Sequence, residues 1–333
     1  MKSQTVLQRK VPKFHDELFV WWRQNGRVLP WREKLGEKVV VEGDLSQGEL
    51  RERAFKTYFA SSLQRDPYKI VVAEVMLQQT QVERVLPKYE AWMECWPQLS
   101  DLATATLAEV LIFWQGLGYN RRARFLWLLA KEITGKRNGV WPTTEVELMQ
   151  LPGIGRYTAR ALQSFAFGQQ VGVVDTNVKR VLERVLGVAD SGNYFALADE
   201  VLPPDQADPW NQALMDFGAL LCTARTPQCT VCPLQKICEV NAKAKKNGFA
   251  NFAEFLTTQK PAVKKKIRFE DTDRFFRGRI VDTLRHRQFT VKKLEKMMED
   301  EFGLSDKPRF LRLITALEKE GIIQKTKGLV KIG

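Results

Sequence analysis

Apolar residues recur three and four positions apart through most of the chain. PKFHDELFVWWRQ, YKIVVAEVML, TLAEVLIFW, RRARFLWLLAKEI, YTARALQSFAF and TNVKRVLERVLG all show it, and this spacing predicts helices with one buried face. Trp-Pro, Leu-Pro-Gly and Leu-Pro-Pro fall between these segments, where proline and glycine interrupt a helix. Period-two alternation is scarce, so the pattern predicts a mainly α fold. Residues 33–65 break the rhythm with mixed charge and weak periodicity, and read as an insertion.

From Asp271 to Gly333 three more helical patterns follow, DRFFRGRIVDTLRH, TVKKLEKMMEDEF and KPRFLRLITALEKEG, and then two short apolar segments in IIQKTKGLVKI. Three helices and a hairpin predict a small winged-helix-like module. Arg309 and Arg312 on its third helix are its candidate DNA contacts, and docking of a protein is the other use of such a module.

The 333 residues are enough for two domains and a small third. At 44% hydrophobic and 27% charged the composition excludes a mostly disordered or fibrous chain. No apolar run reaches the roughly 18 residues of a membrane helix. The polar start MKSQTVLQRKVPKF lacks a secretory core, so a cytoplasmic, nucleoid-associated location is expected, where disulfides are rare. Net charge is +13, and between Phe217 and Arg268 ten Lys or Arg face two Glu. Within that stretch NAKAKKNG and KPAVKKKIR read as exposed connectors. A local basic surplus favours a polyanionic partner, nucleic acid before membrane.

Four of the five cysteines fall within this basic stretch as Cys222-x6-Cys229-x2-Cys232-x5-Cys238. One C-x-x-C pair flanked by two outlying thiols suits a [4Fe-4S] cube, with zinc as the alternative. Cys95 is left over and expected in the core. Leu151-Pro-Gly-Ile-Gly-Arg-Tyr-Thr-Ala159 lies between two helical patterns. Gly153 and Gly155 there allow a tight turn and leave amides open for a phosphate oxygen, as in a helix-hairpin-helix; an ordinary turn is the competing reading. Glu74 is the only charge in IVVAEVML, and a carboxyl on an apolar stripe is expected to have a raised pKa and to serve as a general acid. Asp175 precedes the helical TNVKRVLERVL, where backbone N–H groups favour an ionised carboxylate. An acid held neutral and a base held charged form a working pair. The competing readings are a structural ion pair for Glu74 and a plain helix cap for Asp175.

AEVMLQQTQV, GLGY, LPGIGRYTA, VVDTNVKRVL, WNQALMDFGALLC and the cysteine spacing together resemble the helix-hairpin-helix DNA glycosylases with an iron-sulfur cluster, most closely the MutY-type adenine DNA glycosylases. The resemblance runs from about Leu29 to Val240, the insertion excepted. It implies a two-lobed fold, a six-helix barrel lobe plus an iron-sulfur lobe, acting as a monomer on mispaired duplex DNA in base excision repair. The domain division it implies is an N-terminal segment of the iron-sulfur lobe over 1–67, a six-helix lobe over 68–188 and the rest of the iron-sulfur lobe over 189–240; the charge and helix patterns add a basic linker over 241–268 and the winged-helix-like module over 269–333. By the same resemblance Glu74 protonates the adenine and Asp175 supports the sugar cation. Tyr157 stands where lyase relatives have a Schiff-base lysine, so strand cleavage is expected to be weak or absent. Gln79 and Tyr119 would wedge into the base stack, and Gln212, Trp31 and Arg32 would line the adenine pocket. Cys222, Cys229, Cys232 and Cys238 would hold the cluster. Family members commonly carry a Nudix-like C-terminal domain that inspects the opposite 8-oxoguanine, where this chain has the winged-helix-like module. VDTNV also departs from the LDGNV found in part of the family. The neighbouring alternatives are a thymine or uracil glycosylase acting on G:T or G:U pairs and, in a different class, an iron-sulfur DNA-binding regulator.

Overall fold

The computed structural model describes residues 2–32, 65–188, 192–259 and 267–333. All of the insertion except Arg65, and most of KPAVKKKIR, lie outside them. In chain order the helices are α1 (Lys2–Asn25), α2 (Pro67–Leu77), α3 (Val82–Cys95), α4 (Leu99–Thr104), α5 (Leu107–Phe113), α6 (Arg121–Lys131), α7 (Glu145–Leu148), α8 (Arg156–Phe165), α9 (Thr176–Leu186), α10 (Tyr194–Glu200), α11 (Ala207–Leu220), α12 (Glu239–Lys246), α13 (Phe252–Thr258), α14 (Asp273–Leu284), α15 (Val291–Phe302) and α16 (Lys307–Lys319). The strands are β1 (Phe289–Thr290), β2 (Ile323–Thr326) and β3 (Leu329–Ile332). The mainly α expectation holds, and no described helix is long and apolar enough to cross a membrane.

The chain divides into two compact units, one of residues 1–71, 143–149 and 154–262 and one of residues 72–142, 150–153 and 263–333. In the first, α11 packs on α1, α8 and α9, and α9 also packs on α12. Periodicity explains this directly: Val178, Val181, Leu182 and Val185 put one stripe of α9 inside. Trp210 on α11 takes Phe14 of α1 edge-on at 4.9 Å between ring centres, a favourable aromatic geometry.

In the second unit α6 packs on α4 and α5, around Trp92, which meets Trp96 at 4.7 Å and Trp114 at 5.6 Å. The C-terminal module has the expected winged-helix pattern, with α14 against α15 and α16 and an antiparallel sheet ordered β1-β3-β2. Leu329 pairs with both Thr290 and Thr326. Phe276, Ile280, Leu294, Met298, Phe310, Ile314 and Val330 form its core. Its third helix does not offer Arg309 freely: Nε donates to Asp273 Oδ1 at 2.7 Å and Nη2 to the Asp271 carbonyl at 2.8 Å. Arg312 lies 3.8 Å from the same Asp273.

Two expectations are corrected here. NAKAKKNG is no exposed connector, because most of it is α12, which buries Asn241 and Ala244; α13 also lies inside the expected linker. The lysines hid a helix whose inner face needs only small side chains. Cys95 is exposed, at the last position of α3, while the neighbouring Trp96 takes the inner place.

Candidate functional site

In the second unit, Glu74 lies on α2 between fully buried Ala73 and nearly buried Val75, and is itself 8% exposed. Val71, Val72 and Met76 bury the rest of that stretch, so the carboxyl sits where water is largely excluded. The helix ends at Leu77, and the chain then turns through Gln79 at φ 55°. Tyr119, at φ 48°, ends the GLGY loop and donates its hydroxyl to Gln79 Oε1. Both are in the left-handed region, which costs a non-glycine residue of order 1 kcal/mol and is kept only where neighbours enforce it. Gln79 and Tyr119, the two residues expected as wedges, are thus brought together.

At the hairpin, Gly153 has φ +77° and an added Cβ would lie 2.6 Å from Phe125 Cβ, so glycine is required twice over. Gly155 differs from expectation. Its φ is −96° as N-cap of α8, and an added Cβ would meet nothing within 4 Å. The turn does not require this glycine; its effect is to leave the amides at the start of α8 open to an anion. Tyr157 is the second residue of α8 and half-buried.

In the first unit, Asp175 caps α9 by accepting from the Val178 N–H at 2.7 Å, while its other oxygen accepts from Asn177 Nδ2 at 2.9 Å. Burial nevertheless pushes this carboxyl above its ordinary value, outweighing those bonds and the charge of Arg180. The N–H groups at the helix mouth do favour the ionised form, but burial is the larger effect. The backbone before it is held from two sides. Asn211 accepts from the Val173 N–H at 2.9 Å and donates to the Val171 carbonyl at 2.9 Å, and Arg160 Nε donates to the Gly172 carbonyl at 2.7 Å.

Trp31, Arg32 and Gln212 are all buried. Arg32 makes two 2.8 Å bonds to Asp216, which also accepts from Arg27 Nε at 2.8 Å and Trp22 Nε1 at 2.9 Å. Burial alone would raise the Asp216 pKa, but Arg32 and Arg27 bring it down to about 2. Arg32, expected at the pocket, forms an ion pair with a carboxylate 184 positions away.

The cysteine loop is tied to the Asp175 helix. Arg184 of α9 donates to the Thr223 carbonyl at 2.7 Å, the Ala224 carbonyl at 2.9 Å and Cys222 Sγ at 3.4 Å. Arg180 donates to the Cys222 carbonyl at 2.8 Å. Cys232 is close enough to feel the charge of Cys222, Cys229 and Cys238, and burial holds it up at about 12 and Cys238 at about 11. Yet among the described residues no three Cys, His, Asp or Glu are gathered tightly enough for one metal ion. Four thiols that feel one another suit a multi-iron cluster, whose positive charge would offset the burial that opposes thiolates.

Residues 72–202 match the model of the HhH-GPD superfamily base excision DNA repair protein, and residues 222–238 match that of the iron-sulfur binding domain of endonuclease III. An adenine DNA glycosylase of Mycolicibacterium smegmatis is 39% identical over 264 residues, covering 78% of this chain and 85% of the relative. The chain belongs to the adenine DNA glycosylase family. The adenine DNA glycosylase of Mycobacterium tuberculosis is 34% identical over 316 residues, 93% of this chain and 90% of its own. The human adenine DNA glycosylase is 39% identical over 242 residues, and the chain spans only about two fifths of its length, 40%. Among solved structures, a thermostable thymine-DNA glycosylase is similar at a TM-score of 0.58 and 25% identity, over 71% of this chain and 98% of that one. A non-covalent endonuclease III-DNA complex is similar at 0.50 and 26%, over 61% and 99%. The match over residues 222–238 brings a [4Fe-4S] cluster as cofactor.

For this adenine DNA glycosylase family member the structure adds a residue the sequence did not single out. Arg122, buried at the start of α6, donates through Nη1 to the carbonyls of Val75 at 2.8 Å, Met76 at 3.0 Å and Gln78 at 2.6 Å. Through Nη2 it reaches the Leu117 carbonyl at 2.9 Å and the Gly118 carbonyl at 3.3 Å. One guanidinium therefore closes the C-terminal end of the Glu74 helix and ties it to the Tyr119 loop, a favourable place for a cation. Burial lowers its pKa to about 10, with Arg274 adding to the effect and Tyr119 opposing it, so it remains charged at neutral pH. Arg122→Ala strands several buried carbonyls at ~1–3 kcal/mol each. The expected outcome is a clear loss of thermal stability, with Arg122→Lys recovering only part because one ammonium cannot span both loops. Equal melting temperatures for wild type and Arg122→Ala in scanning calorimetry would contradict this.

Proposed function

We propose that the chain is a mainly monofunctional adenine DNA glycosylase that flips a mispaired adenine out of duplex DNA and hydrolyses its glycosidic bond. Glu74 gives a proton to the base and so makes it a leaving group; Asp175 supports the positive charge that develops on the sugar. Extrusion costs a few kcal/mol and least at a mispair, and Gln79 and Tyr119, joined at two strained turns, fill the stack that the base leaves. The open amides at Gly153 and Gly155 hold the bent backbone. Cys222, Cys229, Cys232 and Cys238 hold the cluster, which supplies a rigid anchor for the basic loop. The observation that carries this reading is the buried carboxyl of Glu74 in AEVMLQQTQV, within a chain 39% identical to an adenine DNA glycosylase.

The test is a panel of duplexes with A:8-oxoguanine, A:G, G:T and G:U pairs. Adenine release from the first two and neither thymine nor uracil from the others is the expected result. The likeness to a thymine-DNA glycosylase favours the second reading, and thymine or uracil release without adenine release would establish it. Tyr157→Lys places an amine where the chain now has a phenol. It is expected to yield a borohydride-trappable covalent complex with abasic product, and no trapping would leave the lyase argument without support.

A further inference from the structure

The C-terminal module closes a cavity that neither the catalytic carboxylates nor the hairpin uses. Its volume is about 560 Å³ and its wall runs from the Gly116–Arg121 loop to α14 and α16. Six lining side chains are arginines, against the two carboxylates of Asp282 and Glu320. Arg274 lies between two rings, 3.9 Å from the centre of Tyr119 and 5.5 Å from that of Phe269. Phe269 is 52% exposed, a large apolar ring open to solvent at the mouth of a basic cavity. Arg285, with a side chain only 2% exposed, donates to Asp282 Oδ1 at 3.0 Å and Asn120 Oδ1 at 3.4 Å. Its Nη1, like Arg279 Nε, is buried with no hydrogen-bond partner among the described residues.

Buried guanidinium N–H groups without acceptors are costly, and an anionic oxygen arriving from outside removes that cost with strong, charge-assisted bonds. An exposed ring beside such donors is the chemistry that holds a nucleic-acid strand, the base on the aromatic face and the phosphate on the cations. The volume suits one nucleotide. We propose that this cavity takes one nucleotide of the DNA strand passing Tyr119, its base against Phe269 and its phosphate on Arg274, Arg279 and Arg285. The site rests on the glycosylase function proposed for the chain, since Tyr119 must face the duplex. It moves the DNA contact of the winged-helix-like module from the third helix, where Asp273 holds Arg309, to the turn before its first helix.

Binding of the full, cluster-loaded chain to a fluorescein-labelled A:G duplex, followed by anisotropy from low to moderate salt, tests this. Phe269→Ala, at an exposed position, is expected to weaken binding roughly five-fold or more with the salt slope unchanged. The double variant Arg274→Ala/Arg279→Ala is expected to weaken binding and to flatten the slope by about one for each phosphate it no longer neutralises. Circular dichroism and iron content confirm that each variant is folded. Affinity and slope within two-fold of wild type in both variants overturn the proposal. So does tighter binding when Arg274 is removed, which would make that side chain a cover over Tyr119. Single-turnover release by wild type separates the two readings. No adenine release sinks the glycosylase assignment and leaves the binding comparison standing, whereas normal release with indifferent variants sinks the cavity alone.

Discussion

Glu74→Gln is expected to remove base release and to leave duplex binding in place. Glutamine matches glutamate closely in size, so α2 keeps its packing among Val71, Val72 and Met76, and the backbone bonds from Arg122 to Val75 and Met76 are untouched. What disappears is the proton. A positioned general acid contributes about 10²–10⁴-fold, so single-turnover release should fall by at least ~10², equivalent to about 3 kcal/mol in the barrier. Affinity for an A:G duplex should stay within about three-fold, because phosphate contacts supply most of it. Loss of rate with unchanged affinity would place Glu74 in the transition state and outside ground-state binding. Release at the wild-type rate would refute its role, and an equal loss of binding and release would show it to be a structural member of α2.

What the sequence disclosed depended on how local each signal was. The helices and the wing were readable because burial of one face imposes a repeat of three to four residues, which Val178, Val181, Leu182 and Val185 display without reference to the rest of the chain. The four-cysteine loop was readable for the same reason, since its ligands lie within one short segment. Arg122 was not. It stands in RRAR beside Arg121 and Arg124, and only the carbonyls of Val75 and Leu117, brought from 47 and 5 positions away, turn it inward. The pairing of Arg32 with Asp216 was equally hidden, because the two are 184 positions apart. NAKAKKNG deceived in the opposite sense. Its lysines announce solvent, but a helix needs only Asn241 and Ala244 on its inner face to be anchored. Gly155 resembles Gly153 in sequence, yet only Gly153 is demanded by its backbone.

Asp175→Asn separates capping from catalysis. Asparagine caps a helix about as well as aspartate, so Oδ1 can still accept from the Val178 N–H and α9 should form with its ties to the cysteine loop intact. The negative charge is gone, and with it the support proposed for the developing sugar cation; release is expected to fall ~10²-fold or more, as for removal of other preorganised electrostatic groups. The stability signature has a definite sign. Burial raises the Asp175 pKa in the folded protein above its ordinary value, so the folded state binds this proton more readily than the unfolded chain does. Its favourable contribution is complete below the unfolded-state pKa and is lost as pH rises through the folded one. The variant carries no charge to lose. Its melting temperature relative to wild type should therefore become more positive as pH rises from the acid range to neutrality, whatever offset the weakened Asn177 bond imposes at all pH values. A difference that is flat or falls with pH would mean that Asp175 is not buried as a costly anion, and undiminished release would reduce it to a helix cap.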